Sequence, residues 1–325
     1  MFDHIASSRR GWVQWCSRYV PMLWVSWRHE INCGCAIFAI SIAECLARFC
    51  GRAMTITSMR VGRMLPWIIL LALASYAFLV EPAWVAVTRH ELASHPSGDR
   101  LRIVQLSDLH LREIGRTEQN TLAAVDTSKP DVILLTGDVI DRPDALPVLD
   151  AYLARLAAPV KIAVLGNWEY WGGVDLTELR KLYVRHGVRL LINECFHMVI
   201  GKRTLHVVGL DDFTAGQPNV GKLDPACLGD GKELILIQHS PGFFESGERS
   251  TTLPIPRLIL SGHTHGGQVS LFGHAFWTPP GSGHFNRGWY DSGWGRLYVS
   301  RGIGTSVAQV RFASRPEVAV FELTP

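Results

Sequence analysis

Aspartate, asparagine and histidine recur in short motifs that each follow an apolar run of this sequence. The motifs are SDLH, GDVID, GNWE and SGHTH, and a further His follows the run ELILI. The candidate metal-ligating side chains are Asp108, His110, Asp138, Asn167, His239, His263 and His265. Oxygen and imidazole donors without a thiolate suit Mn, Fe or Zn better than Ca or a structural zinc. We therefore expect two divalent metal ions, Mn first, with Fe, Zn or Mg as alternatives.

The spacing within these motifs suits a site that holds two ions. Asp108 and His110 are two residues apart, and so are His263 and His265. In an extended or strand-exit backbone, residues at that spacing project to the same side. Asp138 has two carboxylate oxygens and can bridge two cations. Two ions about 3.5–4 Å apart can stabilise both the attacking and the leaving oxygen when a phosphoryl group is transferred.

A lone His at a strand end, or an Asp after Gly, is more often structural than functional. Turn chemistry alone does not explain a set of such residues at the ends of five successive apolar runs. The set therefore indicates a function.

Those apolar runs predict the elements that position the site. They are RIVQL (102–106), DVILL (131–135), KIAVL (161–165), ELILI (233–237) and RLIL (257–260). They lack polar alternation, as expected for strands buried on both faces. Helical patterns occupy 117–127, 145–157 and 176–186. Strand and helix alternate, which predicts an α/β domain whose ligands collect beyond the carboxyl ends of the strands.

Later apolar runs have no helices between them. They are VRLLI, HMVI and TLHVVGL in the middle of the chain, then QVSLF, RLYVS, AQVRF and VAVFEL. We expect these runs to form antiparallel additions or a second sheet.

The motifs together resemble those of the calcineurin-like metallophosphoesterase superfamily. That pattern is Asp-x-His, Gly-Asp-x-x-Asp, Gly-Asn-His-Asp/Glu, a later His and Gly-His-x-His, and the resemblance covers roughly residues 100–325. It implies a sandwich of two β-sheets flanked by helices. YVSRGIGTS and GHTHGGQ are similar to the membrane-associated bacterial branch, which includes phosphodiesterases and enzymes similar to UDP-2,3-diacylglucosamine pyrophosphatase. That branch implies the bacterial inner membrane and a possible link to lipid A biosynthesis.

The resemblance also implies roles for individual residues. One ion is then held by Asp108, His110, Asp138 and His265, and the other by Asp138, Asn167, His239 and His263. Asp141 and Arg142 complete the second motif and are expected to brace its loop. Arg301 and Arg287 are each as well suited to a substrate phosphate as to a structural role.

Trp168 departs from the family pattern. A His usually follows the Asn of the third motif, and that His is credited with protonating the leaving group or steadying the phosphate. An indole has no proton to give at accessible pH. Trp168 either stacks on a base or an acyl chain of the substrate, or fills a gap.

The N-terminal region predicts a membrane anchor. Residues 64–80 read MLPWIILLALASYAFLV without a charge, which is at the lower end of a membrane-spanning length. A second apolar run occupies 31–43, and a start at Met54 would give a signal anchor with a short basic region before it. One span leaves the main domain outside the cytoplasm, and a hairpin leaves it in the cytoplasm. The chain thus divides into a basic region at 1–63, an anchor at 64–85 and a catalytic domain at 86–325.

Charge and cysteine content limit the possible functions. Residues 1–63 carry eight Arg against three acidic residues, a balance of +5, which leaves about −2 for the rest of a chain of net charge +3. Such a domain has no bulk attraction for nucleic acid, so we expect no nucleic-acid partner. No cysteine pair has CxxC spacing, and we expect scattered reduced thiols.

Three functions fit these observations. The first is a two-metal phosphoesterase acting on a membrane-associated phosphodiester or phosphoanhydride, such as a nucleotide-sugar lipid. The second is a promiscuous phosphodiesterase or phosphomonoesterase for soluble substrates. The third is a binding module that keeps the metals and has lost turnover, which the intact ligand set argues against.

Overall fold

The computed structural model describes residues 64–93, 99–245 and 253–324. One compact unit extends from Ile68 to Pro325. The basic region at 1–63, the apolar run at 31–43 and the alternative start at Met54 lie outside the described residues.

The first sheet carries the early predicted strands. Its strands are β1 (Ala86–Ala93), β2 (Leu101–Leu106), β3 (Val132–Thr136), β4 (Val160–Val164), β5 (Val188–Leu190) and β14 (Glu317–Thr324). Their order is β1-β14-β2-β3-β4-β5. Strands β2 to β5 are parallel, and β14 pairs antiparallel with β2 and parallel with β1. The carboxyl ends of β2, β3 and β4 therefore lie at one edge of the sheet.

A second sheet of six strands packs against the first. Its strands are β6 (Glu194–Ile200), β7 (Arg203–Gly209), β8 (Leu234–Ile237), β9 (Leu258–Ser261), β12 (Gly288–Ser292) and β13 (Gly295–Val299). Their order is β12-β13-β9-β8-β7-β6. The four central strands are parallel, and the two edge strands pair antiparallel with their neighbours. A short hairpin, β10 (Ser270–Leu271) and β11 (His274–Ala275), stands apart from both sheets.

Apolar side chains from the two sheets form the central core. It contains Ile103, Leu134 and Ile162 from the first sheet and Val207 and Ile235 from the second, all buried. The predicted sandwich of two sheets is thereby confirmed. Burial on both faces explains why these strands read as unbroken apolar runs.

Four α-helices lie among the described strands of the main domain. They are α2 (Arg116–Ser128), α3 (Leu146–Leu153), α4 (Asn167–Trp171) and α5 (Leu176–Arg185). Helix α5 begins as its sequence predicts, because Asp175 accepts hydrogen bonds from the backbone N–H groups of Thr177 and Glu178. Helix α3 ends four residues before the helical pattern at 145–157 predicts. After Leu153 the chain tightens into turns in which Arg155 N–H donates to Tyr152 O and Leu156 N–H donates to Leu153 O.

Helix α1 (Leu65–Ser75) contains most of the predicted anchor, and a π turn (Tyr76–Val80) and a 3₁₀ turn (Glu81–Ala83) extend it. Among the described residues, this is the one helix long and apolar enough to cross a membrane. Its side chains are largely exposed. A helix in the core of a domain would have many of its side chains buried.

Two of the later runs differ from the expectation of antiparallel or second-sheet strands. VRLLI follows helix α5 and becomes β5, a parallel strand of the first sheet, because a strand–helix–strand unit returns the chain in the same direction. AQVRF makes no strand. Phe312 forms only an isolated bridge with Val269.

The expectation of reduced thiols is wrong for the main domain. Cys195, in β6, and Cys227 form a disulfide. Their separation of 32 residues gave no short-range motif from which to predict the pair. The disulfide joins β6 to the segment that precedes β8.

Candidate metal centre

The carboxyl ends of strands from both sheets meet at one place. Each candidate residue follows the end of a strand closely: Asp108 after β2, Asp138 after β3, Asn167 after β4, His239 after β8 and His263 after β9. All the predicted ligands are buried there. The structure therefore brings the six predicted aspartate and histidine ligands together in two groups.

Asp108, His110 and His265 form the first group of candidate ligands. Their potential ligand atoms lie within 4.8 Å of one another. His265 Nε2 lies 3.2 Å from His110 Nε2 and 3.5 Å from Asp108 Oδ1. Two imidazole nitrogens and a carboxylate oxygen thus converge on a single point.

Asp138, His239 and His263 form the second group, with the same limit of 4.8 Å between their ligand atoms. Asp138 Oδ2 is 3.1 Å from His239 Nε2 and 3.8 Å from His110 Nε2, which belongs to the first group. One carboxylate oxygen therefore faces both groups, as expected for a bridging ligand.

The backbone that presents these side chains differs from the extended conformation assumed from the spacing. Asp108, His110, Asp138, His263 and His265 all have positive φ angles, between 44° and 71°. Non-glycine residues rarely adopt this left-handed region, and such strain clusters at functional sites. The paired residues converge because both members of each pair turn in this way, and not because of strand alternation.

Two glycines permit this close approach. A Cβ on Gly262 would lie 1.8 Å from Ser107 Oγ and 2.4 Å from Asp108 Oδ2. Gly137 has a φ of +90°, and a Cβ there would lie 2.6 Å from His239 Nδ1. Any larger residue at either position would displace a candidate ligand.

Hydrogen bonds from the second nitrogen of each ring orient two of the histidines. His239 Nδ1 lies 2.7 Å from Thr136 O and must donate there, which leaves the Nε2 lone pair facing Asp138. His263 Nε2 likewise lies 2.8 Å from Pro280 O, so Nδ1 is its available ligand atom. Fixing the tautomer in this way is typical of metal-binding histidines.

Asp141 faces the other side of His110. Its Oδ2 lies 3.8 Å from His110 Nδ1 and accepts a hydrogen bond of 3.1 Å from Arg112. Arg142 is exposed and pairs with Asp144. In this structure Asp141 lies beside His110 without a hydrogen bond to it, and Arg142 pairs away from the two groups.

The residues present fit a pair of divalent cations. Burial raises the pKa of Asp108, because a carboxylate removed from water needs compensating positive charge. Asn167 Oδ1 and His239 Nε2 are buried acceptors with no hydrogen-bond partner among the described residues. Oxygen and imidazole donors in two adjoining groups match the ligand preferences of Mn, Fe or Zn.

Trp168 borders the site. Its backbone N–H donates a 2.8 Å hydrogen bond to Asp138 Oδ1. Its indole meets the His110 ring edge-on, with centroids 6.1 Å apart, and is partly exposed. The residue that replaces the usual His therefore lies beside the first group of ligands.

Tyr170, another potential proton donor near this loop, is engaged elsewhere. Its hydroxyl donates a 2.6 Å hydrogen bond to Asp211. Burial and that carboxylate raise the tyrosine pKa.

Glu169 completes the third motif and has a role that its position in the sequence did not indicate. Its buried carboxylate accepts hydrogen bonds from the backbone N–H groups of Gly166, Val139 and Asp138. Burial, together with the negative charge of Asp138, raises the pKa of Glu169 to about 7. Glu169 thereby ties the loop after β3 to the loop after β4, and so positions Asp138 and Asn167.

The arginines considered for phosphate binding make structural contacts. Arg301 pairs with Glu317 at 3.1 Å and remains partly exposed, and Arg287 donates to Ala313 O. Arg311, which no motif indicated, is fully buried, with Nη2 3.4 Å from His265 Nδ1. It also donates to the backbone oxygens of Arg301 and Ser314. Arg311 therefore supports the loop of a candidate ligand.

The fold and the site together define a phosphohydrolase of the two-metal type. A model of the calcineurin-like phosphoesterase family matches residues 101–267. The chain belongs to this family, and it is a metal-dependent phosphohydrolase.

Relatives from bacteria support the same assignment. The chain is 34% identical to the metallophosphoesterase YkuE of Bacillus subtilis over 76% of its own length and 88% of that protein. It is 31% identical to the phosphodiesterase YaeI of Escherichia coli, over 76% of this chain and 92% of that one. Among solved structures, a dimetal phosphatase from Danio rerio is 12% identical, covering 62% of this chain and 88% of the other, and its TM-score of 0.39 is too low to add support.

Glu169 provides a test of how the site is positioned. Replacing Glu169 by Ala leaves four backbone N–H groups, those of Asp138, Val139, Ile140 and Gly166, without this acceptor. We therefore expect metal affinity to fall by about 10–100-fold, as for other residues that orient ligands. The loss is measured by titrating the protein with metal and determining the bound metal by elemental analysis. Glu178→Gln, on the exposed start of α5, is the matched control. Unchanged affinity in Glu169→Ala would show that the two loops hold Asp138 and Asn167 without this carboxylate.

Proposed function

We propose that this enzyme hydrolyses a phosphodiester or phosphoanhydride of a membrane-associated substrate, such as a nucleotide-sugar lipid, with two divalent cations. The single observation that carries the proposal is the place of Asp138, whose Oδ2 faces both His239 and His110. Similarity to the phosphodiesterase YaeI supports the reaction class.

Each group of ligands has a distinct task in this proposal. Asp108, His110 and His265 hold one cation, Asn167, His239 and His263 hold the other, and Asp138 holds both. When bound, the cations supply Lewis acidity and an activated water nucleophile. The chain would hold both cations through Asp138, and it orients two of the imidazoles through Thr136 O and Pro280 O.

Trp168 favours substrates with good leaving groups. The side chain beside the first group of ligands has no proton to donate, and the hydroxyl of Tyr170 is committed to Asp211. General acid catalysis, worth roughly 10²–10⁴-fold, is then absent. A phosphoanhydride releases a phosphate-type oxygen, which departs as an anion far more readily than an alkoxide does.

Three observations support a membrane-anchored enzyme whose catalytic domain lies outside the cytoplasm. The exposed apolar helix Leu65–Ala83 is long enough to span a bilayer. Arginine-rich sequence precedes it, which favours a cytoplasmic N-terminal side. Disulfides persist in oxidising compartments, and Cys195 and Cys227 form one.

Asp138→Ala tests the two-metal assignment. Because one side chain serves both cations, we expect hydrolysis of a chromogenic phosphodiester, measured with added Mn, to fall to the level of metal-only controls. His265→Ala, which removes a ligand from one group, should weaken the binding of one ion. Asp126→Ala, exposed on α2, is the matched control. Activity of Asp138→Ala within tenfold of the unmodified enzyme would reject a shared ligand. No hydrolysis by the unmodified enzyme would favour a binding module.

Trp168 predicts how the rate depends on the leaving group. In a series of phosphodiesters from nitrophenyl to alkyl esters, we expect log(kcat/KM) to fall steeply as the leaving-group pKa rises. Trp168→His should flatten the slope by accelerating the poor leaving groups selectively, by up to roughly 10²-fold. Trp171→His, at an exposed indole nearby, is the control. A shallow slope in the unmodified enzyme would mean that another group donates the proton.

The membrane assignment predicts both extraction behaviour and sidedness. We expect the full chain to resist carbonate extraction and protease added outside spheroplasts to digest the catalytic domain. Cys195 and Cys227 should resist alkylation until a reductant is added. Full-length protein in the soluble fraction would contradict the anchor. Protection from external protease, together with free thiols, would place the domain in the cytoplasm.

A further inference from the structure

The β10–β11 hairpin exposes an unusual set of apolar side chains. We define the aromatic hairpin as residues 270–277, directly after the motif GHTHGGQ. Phe272 is 90% exposed, Phe276 72% and Trp277 62%, and Val307 in a later loop is 75% exposed. Single exposed apolar residues are common, but several large ones on one short hairpin are typical of an interaction surface.

The aromatic hairpin lies next to the end of the apolar helix. Ser270 N–H donates to Phe312 O at 2.8 Å, and Phe312 N–H donates to Gln268 O at 3.0 Å. The Phe312 ring in turn meets the ring of Tyr76 edge-on, with centroids 6.3 Å apart, and Arg311 N–H donates to Ala77 O. One short segment, 311–312, therefore separates the hairpin from the helix end.

The same segment continues to the metal centre. The buried carboxylate of Glu81 accepts hydrogen bonds from the N–H groups of Ala313 and Ser314. The Ser314 hydroxyl donates to His265 O at 2.9 Å. Two hydrogen-bonded steps thus connect the end of the helix to a candidate ligand, so the position of the site relative to the helix end is fixed.

The charge of the surrounding loops suits an anionic surface. Residues 261–290 and 300–316 contain no Asp or Glu, whereas Arg287, Arg301 and Arg315 lie among them. Basic residues near a bilayer are attracted to anionic lipid. Trp84, half exposed and stacked under Arg315, and Trp277 are the aromatic type enriched at membrane–water interfaces.

We propose that the aromatic hairpin is a second membrane contact, which inserts its apolar side chains into the bilayer that holds the helix and turns the metal centre toward the lipid headgroups. This inference rests on the proposed membrane anchoring. The occupant is the lipid bilayer because the aromatic hairpin and the end of the apolar helix both contact the segment 311–312. A headgroup phosphate then reaches the metal centre without the lipid leaving the membrane.

Photocrosslinking of the full chain tests the contact. The probe is benzoylphenylalanine at position 272, in nanodiscs of phosphatidylethanolamine and phosphatidylglycerol, with intact-mass detection of adducts. The matched control position is Val199, which is similarly exposed on β6. We expect about tenfold more lipid adduct at 272 than at 199, as for a side chain at the headgroup–acyl boundary. Equal adduct yields at the two positions, or adducts to a second copy of the chain, would overturn the proposal.

A second measurement uses turnover. Phe272→Ser, Phe276→Ser and Trp277→Ser together should lower hydrolysis of a vesicle-borne phosphodiester about tenfold more than hydrolysis of a soluble one, because apolar area at the interface is lost. Val184→Ser with Val199→Ser is the matched control. Equal losses on both substrates would also overturn the proposal. The crosslink needs no turnover, so lipid adducts without any hydrolysis would refute the proposed reaction and leave the membrane contact standing.

Discussion

Two carboxylates, Asp108 and Asp138, are buried together where the carboxyl ends of the two sheets meet. Neighbouring buried anions are unfavourable unless cations compensate them, and Asp138 accordingly raises the pKa of Asp108 further than burial alone does. Histidines from both sheets converge on them, and Asp138 faces both groups of imidazoles. The strained backbone of the ligand loops persists because the hydrogen bonds around it hold it, including those that Glu169 accepts across the loops after β3 and β4. The first sheet thus contributes the two carboxylates, and the second sheet contributes histidines that face them.

Because the site is built at the strand ends of both sheets, some of its features could be predicted from the sequence and others could not. Strands buried on both faces leave unbroken apolar runs, so β2, β3, β4, β8 and β9 were predicted nearly to their ends. The ligands follow those runs, and parallel strands place their carboxyl ends at one edge. Selecting the ligands therefore required only local information. Predicting how Asp108 and His110 converge required the left-handed backbone, which depends on glycines such as Gly262 from another strand end.

Features that depend on long-range contacts were not predictable in the same way. Arg311 lies 46 residues from His265 and follows no motif, yet it is buried against that histidine. The disulfide between Cys195 and Cys227 joins segments whose proximity arises only when the second sheet forms. VRLLI looked like an addition to another sheet, but the helix before it decided its direction. In each case the deciding contact comes from an element that the local pattern does not contain.

Glu81 connects the end of the apolar helix to the segment beside the metal centre, a role that its position in the sequence does not indicate. It follows an apolar run as a simple charged flank would, but its carboxylate is fully buried and binds the backbone of Ala313 and Ser314. A flexible tether would let the catalytic domain rotate freely above a membrane. A helix end bonded to the segment that supports His265 instead restricts that rotation, and the aromatic hairpin lies on the same segment. The contacts that support the candidate ligand His265 therefore also dock the end of the helix, so the fold fixes the position of the site relative to that helix end.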